Sequence, residues 1–195
     1  RNVNPMQFSD PSQHQRHSYG ASKYLDEVAA QHAARDGLDV RIVRPFNAYG
    51  PRLNGGDYGQ VVAMFFHSIL TSSTLHIHNN GSQTRSFTWI DDITEGFLKA
   101  GLLDEGVSGE SLSGMAFNIG STEEISILDL QKRVYEVVNA DSNWSLPLPE
   151  IEFTEGYHGD ATRRWPDVSL AKQHLGWTAS TNLIQGLQST WIALR

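Results

Sequence analysis

The chain contains no cysteine, which excludes disulfides, thiolate metal sites and a thiol nucleophile. No uninterrupted apolar run approaches the length of a membrane span. No signal peptide is visible either, so the expected location is the cytoplasm. Lysine is scarce, at four in 195 residues, and the formal charge is −7. An acidic chain suits neither nucleic acid nor an anionic membrane surface, and no such partner is expected. Internal repeats and low-complexity segments are missing as well. What is present is a 39% hydrophobic composition with five Trp, six Tyr and eight Phe, which describes a folded chain with a sizeable core. Its length suits one domain or one and a half. The 15 Lys and Arg suffice for a local anion site.

Along the chain, residues 1–17 are polar and read as loop. Ser18 is a plausible cap for a helix whose stripe includes Tyr19, Leu25, Val28, Ala29 and Ala33, closed by Gly37. "LDVRIVRP" then reads as a strand stopped by Pro45. A helix followed by such a strand is half of a parallel crossover unit. "NAYGPRLNGGDYG" (47–59) is a loop, and residues 60–70 look helical. "LHIH" and "SFTWI" are expected strands, separated by an "NNG" turn. Asp92, with Glu95 three residues on, is the expected start of a helix; "AFNIG" is a strand. Ser126 and Asp129 open another helix that ends near Asn139. "NWSLPLPEIEF" reads as extended, "SLAKQHL" as a short helix before Gly176, and Thr181 as the cap of a last helix. The mixture is α/β.

In "HSYGASKYLDE" (17–27), Tyr19 and Lys23 stand four residues apart. On a helix they lie one above the other. An ammonium beside a phenol favours the phenolate, which makes a group able to take a proton from an alcohol. On spacing alone, a half-buried ring beside a solvated ammonium is the commoner outcome.

Five segments give the pair more weight: "YGASK", "RIVRPFNAYGPR", "GSQTRSFTWIDDI", "FNIGSTEEISILDL" and "RRWPDVSLAKQHLGW". Their order resembles the extended short-chain dehydrogenase/reductases, the NAD-dependent nucleotide-sugar epimerases, dehydratases and decarboxylases. The later segments look most like UDP-glucuronate decarboxylases, and "YGASK" looks like the epimerases and 4,6-dehydratases. The resemblance implies the C-terminal part of a Rossmann-type doubly wound parallel sheet plus a small α/β substrate-binding domain. Residues 1–50 would be the last crossover of the cofactor domain. Residues 51–195 would be mainly the nucleotide-sugar domain, with about 84–100 and 115–120 returning to the cofactor domain.

By that resemblance Tyr19 is the catalytic base at the sugar C4 hydroxyl, and Lys23 holds the nicotinamide ribose and lowers the phenol pKa. Hydride from C4 would pass to NAD, held over the cycle. Pro45 and Phe46 match the turn beside the nicotinamide. Asn47 matches an asparagine that meets the substrate diphosphate. Arg85 and Arg164 (less so Arg163) match arginines that pair with phosphate oxygens, for which guanidinium forks are suited. Gln60 and Val61 would line the nucleotide pocket. The expected partners are a UDP- or dTDP-sugar and a second copy of the chain, packed through the Tyr19 helix.

Other features are weaker. His76 and His78 share a strand face, but no third ligand is evident, so no metal is expected. Asp91 and Asp92 are expected to cap a helix. Trp165, Trp177 and Trp191 are expected in the core or an interface. The Gly-rich pyrophosphate turn of the family is not found in this sequence, which begins at Arg1. The expectation is therefore a fragment that binds NAD poorly, with a non-catalytic sugar-nucleotide-binding module, or a remnant that serves as a scaffold, as the other readings.

Overall fold

Pro11 occupies the first position of α1 (Pro11–Arg35). Proline suits a helix start, because its missing N–H would have no partner there. The helix therefore begins ahead of Ser18, which lies inside it, and residues 11–17 are helix rather than loop. The structure is a computed structural model that describes residues 11–53, 55, 60–144, 146–156 and 161–195. Gly37, at φ +96°, ends α1 as expected, and the Leu38 N–H donates back to the Ala33 carbonyl at 3.0 Å.

The chain continues through β1 (Ile42–Pro45), β2 (Ala48–Tyr49), α2 (Val61–Thr71), β3 (Leu75–His78), β4 (Thr84–Ser86) and β5 (Thr88–Trp89). Then come α3 (Ile90–Leu102), β6 (Ala116–Ile119), β7 (Glu124–Ser126), α4 (Ile127–Asn139), β8 (Ile151–Thr154), β9 (Arg163–Arg164), α5 (Ser169–Leu175) and α6 (Leu183–Leu194). The α/β class is as expected, and most pairings are parallel. β1 pairs with β6, β2 with β5, and β3 with β8. β4 is the middle strand of a fourth, three-stranded sheet, antiparallel to β7 and parallel to β9. Among the described residues no helix is long and apolar enough to cross a membrane.

Three local expectations are corrected. "SFTWI" is not one strand: Phe87 breaks it, so Ser86 ends β4 and Thr88 begins β5. Asp92 does not cap α3, which starts at Ile90. Its buried carboxylate instead accepts from the Ser180 N–H, the Ser180 hydroxyl and the Thr181 N–H, at 3.2, 2.8 and 3.0 Å. Asp91 accepts from the Trp89 indole at 3.0 Å. The cap of α6 is Asn182, not Thr181, because Gln185 completes a reciprocal capping box with it. Ser126 caps α4 as expected, accepting from the Asp129 N–H at 3.0 Å.

Two apolar cores result. The larger joins α2, α4 and α6 through Phe65, Phe66, Leu130, Val134, Leu187 and Trp191. Phe66 and Trp191 stack at 6.3 Å between ring centroids. On α4, Leu130, Val134, Val137 and Val138 recur at helical spacing, and each is worth about 1.5–3 kcal/mol when buried. The smaller core packs Phe117 and Ile119 of β6 against Ile93, Ala171, Leu175 and Trp177. Trp177 and Trp191 are thus core residues. Trp165 is 44% exposed and is not.

Candidate functional site

The strands deliver several of the expected residues to one region. β1 ends at Pro45, and Asn47 follows with a left-handed backbone at φ +38°. Asparagine tolerates that conformation better than most residues. Its side-chain amide donates to the Ser86 carbonyl at 2.7 Å, which fixes the turn against β4. Pro45, Asn47, Gln60 and Val61 line one open cleft. Asn47, Val61 and Phe87 also border a second cleft of about 260 Å³, which adds Arg85, His76 and His78. The two clefts share three residues and are contiguous.

Arg85 is 9% exposed. Its Nη1 donates to the carbonyls of Thr84 and Ala161, each at 2.8 Å. These bonds aim the guanidinium. Strand register separates the two candidate arginines of β9. Arg164 is the parallel partner of Arg85, whereas Arg163 is the partner of Thr84. Partners across a ladder share a face and successive residues alternate, so Arg164 is on the Arg85 side. Arg163 is on the other side, where it donates to Glu124 from Nε and Nη2 at 2.8 and 2.7 Å. Its guanidinium lies 5.5 Å from the Trp165 ring centroid. The bonds from Arg163 and from the Thr84 hydroxyl pull the Glu124 carboxyl down to about 2.

Tyr19 and Lys23 lie on α1, with Lys23 Nζ 6.0 Å from the Tyr19 ring centroid. They share a helix face, as expected. The ring is 71% exposed, and Lys23 Nζ lies 3.1 Å from Asp26 Oδ2. The Asp26 carboxylate, hydrogen-bonded to it, raises the Lys23 pKa. Neither residue is among those lining the two clefts. Phe46 also lies apart from them; its N–H donates to the Ile119 carbonyl at 2.9 Å and its carbonyl accepts from the Thr88 hydroxyl at 2.9 Å.

The cleft-lining histidines were visible in the sequence only as alternate residues of a short strand. His76 Nδ1 lies 3.4 Å from Glu152 Oε2 across the β3–β8 ladder. Among the described residues no group of three or more His, Asp or Glu could hold a metal ion.

Residues 4–120 match the family described as "NAD dependent epimerase/dehydratase family". The chain is similar to UDP-glucuronic acid decarboxylase 3 of Arabidopsis thaliana, at 33% identity over 187 residues, 95% of this chain and 48% of the relative. It is 34% identical over 178 residues to the UDP-N-acetyl-alpha-D-glucosaminuronate decarboxylase of Bacillus cytotoxicus, covering 90% of this chain and 52% of the relative. The chain thus spans about half the length of these relatives. Among solved structures it is similar to UDP-glucose 4-epimerase from Thermotoga maritima with UDP-glucose. There the TM-score is 0.77 and the identity 28%, over 90% of this chain and 52% of that one. UDP-glucuronic acid 4-epimerase from Bacillus cereus, in complex with UDP-glucuronic acid and NAD, gives a TM-score of 0.68 at 26% identity, over 84% and 48%.

Proposed function

Because the chain belongs to the NAD-dependent epimerase/dehydratase family, we propose that it forms the substrate-holding part of an enzyme that acts on the sugar of a UDP-linked sugar. The observation that carries this reading is the pair of contiguous clefts in which Asn47, Gln60, Val61 and Arg85 converge. Asn47 and Arg85 receive the diphosphate, with Arg164 on the same side of the ladder as a second guanidinium. The relatives' names favour UDP over dTDP.

Tyr19 takes the proton from the sugar C4 hydroxyl, and Lys23 favours the phenolate and reaches a ribose hydroxyl. Lys23 is exposed, and an exposed ion pair with Asp26 is weak enough to yield to such a partner. The exposed phenol and ammonium, with the β1 terminus at Pro45 and Phe46, are donors and surfaces that fit the nicotinamide end of NAD. When bound, NAD accepts the C4 hydride and returns it. Residues 1–50 then belong to the cofactor domain and 51–195 mainly to the sugar-nucleotide domain, with 84–100 and 115–120 on the cofactor side. The parallel β1–β6 pair supports that division. The exposed Tyr24 and Leu25 of α1 support a second copy packing along this helix, in a cytoplasmic homodimer.

A second reading, a nucleotide-sugar-binding module without catalysis, draws on the separation of Tyr19 and Lys23 from the cleft residues. Calorimetric titration with UDP-glucose and UDP-glucuronic acid, with and without NAD, tests the first reading. Binding that weakens at least tenfold in Arg85→Gln is expected. A folded chain that binds neither sugar nucleotide overturns both readings. Binding of the sugar nucleotide with unaltered turnover in a Tyr19→Phe variant of the complete enzyme removes the phenol from the chemistry.

A further inference from the structure

Among the described residues β1 has one neighbouring strand, β6. The Ile42 N–H donates to the Met115 carbonyl and the Phe46 N–H to the Ile119 carbonyl, each at 2.9 Å, so these residues turn their backbone groups towards β6. Backbone groups alternate in direction along a strand, so the N–H and carbonyl of Val43 point out of the opposite edge. Beside that edge runs a groove lined by Asp39, Arg41 and Val43 and, on α3, by Phe97, Ala100 and Gly101. Phe97 is 45% exposed, although it lies one turn from the buried Ile93. Gly101 adds no side chain, and a Cβ there would meet nothing within 4 Å. The two charged residues are already paired: Arg41 donates to the Asp39 carboxylate and to the carbonyls of Ala100 and Leu103. The groove therefore offers apolar surface beside outward-facing backbone groups, and not a charge.

We propose that this edge is the docking surface for one further parallel strand, carried by an α/β segment outside residues 1–195 that holds the cofactor. That the segment holds a cofactor rests on the reading of this chain as the substrate-holding part of an enzyme; the strand addition stands on the groove itself. An open edge recruits a strand through its backbone groups, and the pockets along it select the side chains. Val43 packs towards Ile93 of α3, while Arg44, on the opposite face of β1, is bound by Glu27 of α1. Parallel strands with helices on both faces are apolar throughout. The incoming strand is accordingly a short run of Val, Ile and Leu.

Two other occupants fit worse. Residues 1–10, "RNVNPMQFSD", contain no such run. A second copy would bring its own β1, in which Arg44 is charged and Pro45 has no N–H to donate. The relatives are about twice as long as the part that this chain matches, which leaves room for a segment of the required size.

The test co-expresses the isotope-labelled chain with the part of the Thermotoga maritima UDP-glucose 4-epimerase that lies outside its match with this chain. Sedimentation should show a one-to-one complex. Exchange of the Val43 amide, followed by NMR, should be fast in the chain alone and about a hundredfold slower in the complex. Phe97→Asp, at a half-exposed position, should weaken the complex about tenfold or more. Ile192→Asp, on the exposed face of α6, should leave it unchanged. No complex from a folded chain, or one that ignores Phe97→Asp, overturns the proposal. So does a Val43 amide already protected in the monomeric chain, or one that becomes protected with concentration in the chain alone, which would make a second copy the occupant. Titration of the same samples with UDP-glucose separates the two readings. A chain that binds UDP-glucose but takes no second segment sinks the docking alone. A complex that forms as expected but binds no UDP-glucose supports the docking and sinks the sugar-nucleotide reading.

Discussion

Glu27 of α1 accepts two hydrogen bonds from the Arg44 guanidinium of β1, from Nε at 2.6 Å and from Nη2 at 2.5 Å. None of residues 18–35 is fully buried. This two-point contact therefore ties the helix of Tyr19 and Lys23 to the strand that leads into Pro45 and Asn47.

The contact is partly exposed, so its worth is modest. Glu27→Gln should lower stability by about 0.5–1 kcal/mol at neutral pH. The Arg44 guanidinium holds the Glu27 carboxyl below its ordinary value of 4.5. The contribution is thus whole above that ordinary value and is lost as the pH falls through the lower value of the folded state. Urea melts of wild type and variant should differ at neutral pH and converge in acid. A constant difference at every pH would mean that the charge on Glu27 is irrelevant.

Register predicts opposite fates for two adjacent arginines. Arg164→Ala should weaken UDP-sugar binding severalfold, because Arg164 shares the Arg85 side of the ladder. Arg163→Ala should leave binding nearly intact. It should instead raise the Glu124 carboxyl midpoint from about 2 towards the ordinary 4.5, as followed by carboxyl NMR. The reverse pattern would place the ligand on the other face of the sheet.

Gly186 of α6 is packed against the Tyr49 ring, and a Cβ there would meet Tyr49 Cζ at 2.7 Å. Alanine ordinarily favours a helix over glycine by about 1 kcal/mol. Here the ring is 1% exposed, its hydroxyl donates to the Leu183 carbonyl at 3.2 Å, and it has nowhere to go. Overpacking of about 1–3 kcal/mol should win. Gly186→Ala should lower Tm, and an unchanged or raised Tm would show that the ring can yield.

Asp92→Asn keeps the shape but leaves one acceptor oxygen where the carboxylate has two. With Ser180 N, Ser180 Oγ and Thr181 N as donors, at least one bond is lost. Asp92→Ala loses them all and strands buried polar groups, at about 2–3 kcal/mol. Chemical denaturation should rank the alanine variant below the asparagine one.

The sequence was most legible where the cause of a feature lies within a turn of the chain. Ser126 with Asp129, Gly37 and Gly176 each end or begin a helix through neighbours three to five residues away. Asp92 defeats such a reading because its partners are 88 and 89 residues distant. The cap of α6 is local too: Gln185, three residues beyond Asn182, makes Asn182 rather than Thr181 the capping residue. For the site, motif order pointed to Asn47, Gln60, Val61 and Arg85. The same resemblance preferred Arg164 to Arg163, but the side of the ladder that Arg164 shares with Arg85, and the arrival of His76 and His78 at the same cleft, depend on long-range strand pairing that no short stretch encodes.

Ala48 packs against the smaller apolar cluster and Tyr49, its neighbour, belongs to the larger one. One peptide bond thus bridges the two apolar clusters, directly after Asn47. A ligand seated at Asn47 would act as a weld: hydrogen exchange that reports two independent openings in the free chain would merge into one cooperative melting event when the cleft is filled.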